Sequence, residues 1–156
     1  GVAGAYYKLD SVPTAPTDGT YVAGDGISSI SGITVGSEGA HTVYVWLVDS
    51  VGNVDHANCS TTLLQLDMTI PAPPGGLTAS SSGWTNADDF TVSWTNPPNP
   101  SGIIGAYYKL DSAPTADDDG TYVAGDGISS ISGITVGSEG AHTVYVWLVD
   151  SVVTGG

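Results

Sequence analysis

The segment from Gly4 to Val51 returns without gaps as Gly105 to Val152, at an offset of 101 residues (105 against 4, 152 against 51). Over those 48 positions (4 to 51) only three differ: Val12 against Ala113, Pro16 against Asp117 and Thr17 against Asp118. Near-identity of that length marks a recent duplication or an array kept homogeneous. The unit it defines, about 101 residues long, is the size of one sandwich domain. Whatever fold the chain takes must therefore be one that can be repeated in tandem.

The segment Met68-Thr-Ile-Pro-Ala-Pro-Pro-Gly-Gly76 is the one proline and glycine cluster between strand-like runs that reads as a connection. Its prolines favour an extended, semi-rigid chain. The expected organisation is a first repeat over 1–69 lacking its first two strands, a linker over 70–76, and a second repeat over 77–156 lacking its last strand. On this phase neither sandwich is whole. Either the chain is a window of a longer array, or neighbouring copies complete one another by strand addition.

The local pattern is that of strands. Phe90-Thr-Val-Ser-Trp94 alternates apolar and polar, with Phe90, Val92 and Trp94 on one face, and Asn96 to Gly102 is a turn cluster that ends it. Leu77 to Ser81 is expected as a short opening strand. In Ile103 to Leu110, a solvent-facing Lys109 turns Ile104, Ala106, Tyr108 and Leu110 inward and Tyr107 outward. Thr121 to Ala124 and Ile131 to Val136 are shorter strands. His142 to Asp150 is the longest, with faces His142, Val144, Val146, Leu148 and Thr143, Tyr145, Trp147, Val149. A closing strand, Cys59 to Asp67, occurs only in the first repeat. Short strands, frequent turns and no helical period predict an all-β sandwich.

Phe90-Thr-Val-Ser-Trp94 with the prolines and Ser101-Gly102 behind it resembles the second strand and following turn of fibronectin type III modules. Ala40 to Asn53, with its His-Thr-Val-Tyr-Val-Trp core, is similar to their sixth strand and the turn after it. Asp67-Met-Thr-Ile-Pro71 resembles the junction between tandem bacterial immunoglobulin-like and fibronectin-like repeats. The resemblance implies immunoglobulin-like (fibronectin type III-like) β-sandwich repeats with a period of about 101 residues. In that family an inward tyrosine opens the sixth strand and ties down a loop. His41 and His142 stand in that place, which would make the corner sensitive to pH.

Charge narrows the function classes. Against 16 Asp and Glu the chain has only Lys8 and Lys109, for a net charge of −14. Nucleic acid and anionic membrane surfaces call for clustered cations, so neither is an expected partner. Polarity supplied by Ser, Thr, Asn and Gly suits a secreted or cell-surface protein. No membrane-spanning run or signal peptide is read, and a chain opening on Gly1 is expected to be processed or excised. Cys59 is alone and is read as a half-buried strand residue.

No nucleophile and base are paired with an orienting group: Cys59 follows His56 by three positions without a third partner, and the chain is read as non-catalytic. Asp88 and Asp89 precede a strand, where carboxylates stabilise turns. The acidic turn Asp117-Asp-Asp-Gly120 offers hard oxygen ligands suited to calcium, with Asp67 at the junction as a second candidate. The first repeat has Pro16-Thr-Asp-Gly19 at the equivalent place, so two of the three carboxylates are dispensable. No other cofactor is expected. Asn58-Cys-Ser60 fits a glycosylation sequon.

The aromatic residues supply the remaining candidate surface. Tyr44 and Trp46, and again Tyr145 and Trp147, lie opposite the core stripe, with Tyr7 and Tyr107 expected beside them on the neighbouring strand. A loop, another copy or sugar rings could cover that face. The expected role is a structural repeat of an extracellular filament, sheath or stalk whose partners are copies of itself. The alternative is an adhesive spacer or carbohydrate-binding module that takes polysaccharide on the aromatic face.

Overall fold

In the computed structural model, which describes residues 1–152, every regular element longer than a single turn is a β-strand. Residues 153–156, read above as part of the second repeat, lie outside the described residues. The chain divides between Asp67 and Met68, two positions ahead of the expected boundary.

The first unit is built from β1 (Val2–Leu9), β2 (Thr20–Ala23), β3 (Gly39–Asp49), a 3-10 turn (His56–Asn58) and β4 (Ser60–Leu66). The strands form one four-stranded antiparallel sheet in the order β2-β1-β3-β4. Val43 and Ala5 are buried on its inner face, but Leu47 on the same stripe is 52% exposed.

The second unit holds β5 (Gly75–Ala79), β6 (Phe90–Thr95), β7 (Ile103–Leu110), β8 (Thr121–Ala124), β9 (Ser130–Ile134) and β10 (Val144–Asp150). They make two three-stranded antiparallel sheets, β10-β7-β8 and β5-β6-β9. Val92, Trp94, Ile131 and Ile134 from one sheet meet Ile103, Ala106 and Leu148 from the other in a single buried core. That arrangement is compatible with a β-sandwich. Each fully buried aliphatic side chain there contributes about 1.5–3 kcal/mol. The Trp94 indole N–H donates to Asn96 Oδ1 at 2.7 Å, and the Asn96 amide donates to the Ile128 carbonyl at 2.9 Å. The buried indole thus has its partner, and the turn after β8 is pinned to β6.

Three expectations need correction. In β7 it is Ile103, not Ile104, that enters the core: Ile103 is 4% exposed and Ile104 37%. Asp150 pairs with Ile103 and Val149 with Gly105, so Ile104 is the extra residue of a β-bulge. A bulge resets the alternation on its N-terminal side, which a strict two-residue period misses. In the first unit it is Tyr6 that stacks with Trp46, whereas the sequence reading placed Tyr7 there. The 101-residue offset makes Tyr6, not Tyr7, the counterpart of Tyr107. Finally, the first unit lacks a third strand besides the two expected: Ser29 to Ile33 is not strand, although the identical Ser130 to Ile134 is β9. β9 exists because it pairs with β6, and the first unit holds no strand equivalent to β6.

Element ends shift modestly. β5 takes in Gly75 and Gly76, read as linker; β9 stops at Ile134; β10 starts at Val144 instead of His142.

Candidate functional site

The acidic turn ahead of β8 is a cap for a lysine. Lys109 Nζ lies 2.7 Å from Asp119 Oδ2, and the same oxygen accepts the Thr115 N–H at 2.8 Å and its hydroxyl at 2.9 Å. Lys8, Asp18 and Thr14 repeat the arrangement in the first unit, with the ion pair at 2.8 Å. The lysine, followed by the threonine, holds the carboxyl of Asp18, and likewise that of Asp119, down to about 2. Asp119 is therefore committed to donors of its own chain. Asp118 and Asp117 engage through backbone carbonyls, to the Gly120 N–H and the Trp147 indole respectively. Among the described residues no three His, Cys, Asp or Glu side chains converge as metal ligands. Asp67 is half-buried just after β4, away from that turn in sequence and in a different unit.

The same turn roofs the tryptophan on the outer face. Trp46 donates to the Pro16 carbonyl at 2.8 Å and Trp147 to the Asp117 carbonyl at 2.7 Å. A Cβ on Gly120 would come within 2.6 Å of the Trp147 ring and 2.7 Å of the Tyr108 carbonyl; Gly19 is in the same position over Trp46. Only glycine lets the backbone lie this close to the indole. Trp46 is 1% exposed. This changes the expectation for the face of Tyr44, Trp46, Tyr107, Tyr145 and Trp147: the chain's own loop buries Trp46 and leaves Trp147 half-buried. Tyr6 stacks on Trp46 at 5.5 Å, and Tyr107 on Trp147 at 5.4 Å. Tyr21 and Tyr122 lean on these tyrosines at 5.0 Å and stay 47% and 44% exposed. Tyr44 and Tyr145 are half-buried.

His41 and His142 each close a corner. His41 Nδ1 lies 2.8 Å from Asp10 Oδ2 and Nε2 lies 2.9 Å from the Ser37 carbonyl; His142 does the same with Asp111 at 2.8 Å and Ser138 at 3.1 Å. The carboxylate and the carbonyl only accept, so the doubly protonated imidazolium satisfies both, and the Ser37 or Ser138 hydroxyl lies 3.4 Å from the same Nε2. The aspartate beside each ring raises its pKa, and each histidine in turn lowers that of its aspartate. Asp10 and Asp111 occupy the left-handed region at φ 63° and 64°; each donates its N–H to the carbonyl of Thr42 or Thr143 and accepts that threonine's N–H on its carboxylate. In the second unit Asp88 adds a second negative charge near His142 and accepts the Val136 and Gly137 N–H groups at 2.7 and 3.0 Å.

Two further features bear on assembly. β10 is an outer strand: among the described residues it pairs with β7 alone. Beside its start, a cavity of about 350 Å3 opens between the two sheets, lined among others by Phe90, Leu110, Ile134, His142 and Val144. The missing counterpart of Cys59 to Asp67 pointed to an unpaired edge and an open core in this unit; the residues that line the cavity were not named from sequence. Trp84, 86% exposed, also borders the cavity. Asn58 is exposed, its amide 3.4 Å from Asp55 Oδ2, and His56 and Cys59 flank it, both half-buried. No helix among the described residues is long and apolar enough to cross a membrane. No protein-family model matches the chain, and no curated protein matches it.

Proposed function

We propose that the chain is a non-catalytic structural repeat of an extracellular filament, sheath or surface stalk. Its units would be fibronectin type III-like sandwiches packed end to end, with strand complementation between copies. The observation that carries this reading is the duplication itself. One sequence, given twice, forms the same framework twice, with lysine cap, histidine corner and tyrosine–tryptophan stack reproduced closely: 2.8 and 2.7 Å, 2.8 and 2.8 Å, 5.5 and 5.4 Å. Such a design supports repetition more than recognition of a unique substrate.

The acidic surface supports it as well, keeping copies soluble until specific edges meet. The burial of Trp46, and the tyrosine stacked on each indole, count against the polysaccharide alternative, because stacking on a sugar needs an open ring face. Electron microscopy of the purified chain, with and without a calcium chelator, tests the proposal. Fibres or ordered strings are expected, and dispersed monomers in both conditions would refute it. Loss of fibres on chelation would make calcium part of the joint.

A further inference from the structure

β3 and β10 are the same sequence in different company. Gly39 to Asp49 and Gly140 to Asp150 are identical, yet β3 is 11 residues long and β10 only 7. The residues that β10 lacks are Gly140 to Thr143. In the first unit their counterparts are paired by β4: Gly39 with Leu66, Ala40 with Gln65, His41 with Leu64 and Thr42 with Leu63. β1 reaches only as far as Val43. The start of this strand is therefore formed by β4 and is lost where no β4 lies beside it.

The cavity sits at that same place. Directly opposed residues of an antiparallel pair share a face, so Leu64 and Leu66 lie on the side of His41 and Val43, the inner one. Transferred to the second unit, Leu66 comes opposite Gly140 and Leu64 opposite His142. Both of those residues line the cavity. Leu63, on the other face, is 59% exposed in the first unit and would point away from it.

We propose that the edge of β10 left unpaired among the described residues is a receptor for a strand of the Ser60–Leu66 sequence from a second copy of this chain. The strand enters antiparallel to β10, in the register Leu66 to Gly140, Leu64 to His142 and Thr62 to Val144, and its two inward leucines fill the cavity. The molecule itself supplies the template, since β3 and β4 show strand, direction and register on an identical edge. The donor strand gains by the move. In the first unit Leu64 and Leu66 face a sheet with no second sheet over it among the described residues, and they remain half-exposed. In the second unit β5, β6 and β9 close over them. Main-chain pairing supplies the affinity and the leucines the register.

The inference rests on the filament reading for the source of the strand, but not for the edge. A synthetic peptide of residues 54–67, carrying Cys59→Ser, is titrated into the 156-residue chain, and amide exchange and sedimentation are followed. Saturable one-to-one binding with slowed exchange over 140–145 is expected. A peptide with Leu64→Asn should bind more than about tenfold more weakly, because an uncharged amide would replace an apolar side chain in a mainly apolar cavity and cannot form an ion pair with His142. One with Leu63→Asp should bind as well as the parent. No binding, or equal loss from both changes, overturns the proposal. The chain alone should self-associate with rising concentration, and excess peptide should disperse it. Fibres that persist in saturating peptide would overturn this edge as the joint and leave the filament reading standing. Peptide capture by a chain that stays monomeric would overturn the second copy as donor, and the filament reading with it.

Discussion

The two units are a controlled experiment on one sequence. The features whose partners both lie within the duplicated segment are the same in both. The Lys8–Asp18 and Lys109–Asp119 pairs are 2.8 and 2.7 Å long, and the histidine corners are both 2.8 Å. The features whose partners lie outside that segment differ. Ser130 to Ile134 is a strand against β6, while Ser29 to Ile33 is not. Gly39 to Thr42 is a strand against β4, while Gly140 to Thr143 is not. Turns, caps and corners form wherever both of their partners recur, because a few hydrogen bonds between them suffice. A β-strand exists only where another strand accepts its N–H and C=O groups.

The largest expected effect tests that contrast on one residue pair. Leu148 is 8% exposed and Leu47 52%, although their flanking sequences are identical. Leu148→Ala should cost the second unit about 2–4 kcal/mol through the cavity it leaves. Leu47→Ala should cost the first unit about 0.5 kcal/mol or less. Denaturant titration followed by residue-resolved NMR separates the two units. Equal losses would mean that Leu47 is covered in solution and that the units are more alike than they look.

Glycines Gly19 and Gly120 sharpen the comparison from the other side, since their surroundings lie within the duplicated segment. Alanine at either position would push against both an indole ring and a main-chain carbonyl. Gly120→Ala and Gly19→Ala should each cost about 1–3 kcal/mol, with matching losses in the two units. The indole fluorescence should shift to the red as the loop lifts and water reaches the ring. A large loss in one unit alone would show that the roof depends on the rest of the sandwich.

This contrast also explains what could be read from the chain in advance. The all-β class, the extents of β7 and β8 and the placing of Phe90, Val92 and Trp94 follow from alternation and turn residues. Ile103 was misplaced because a bulge carries no signature in Ile-Ile-Gly-Ala. The loss of strand at Ser29 to Ile33 was missed because the residues are those of β9 and only the partner is absent. Asp119 looked like a calcium ligand because three carboxylates stand together. The clue to its real partner was available: the only two lysines each precede, by ten positions, the one aspartate present in both turns.

The smallest effects lie in titration, and here the units should part slightly. Each corner histidine has a raised pKa. The corner's contribution to stability is therefore complete below the usual histidine range and is lost as pH rises through the elevated value. Asp10 and Asp111 are lowered, so their share is present above the usual carboxylate range and is lost on acidification below it. The corners should hold best between those limits. Histidine ring NMR would show both midpoints above the free imidazole value, with faster amide exchange around Ser37 and Ser138 at alkaline pH. His41 faces Asp10 and the Ser37 carbonyl; His142 faces Asp111, the Ser138 carbonyl and also the charge of Asp88. Asp88→Asn should lower the His142 midpoint and leave His41 unmoved. Added salt should do part of the same, because the Asp88 effect acts through charge alone and is screened, whereas the hydrogen bond to Asp111 is not. If salt lowered both midpoints equally, the extra charge beside His142 would have no influence, and the two corners would be as alike as their sequence.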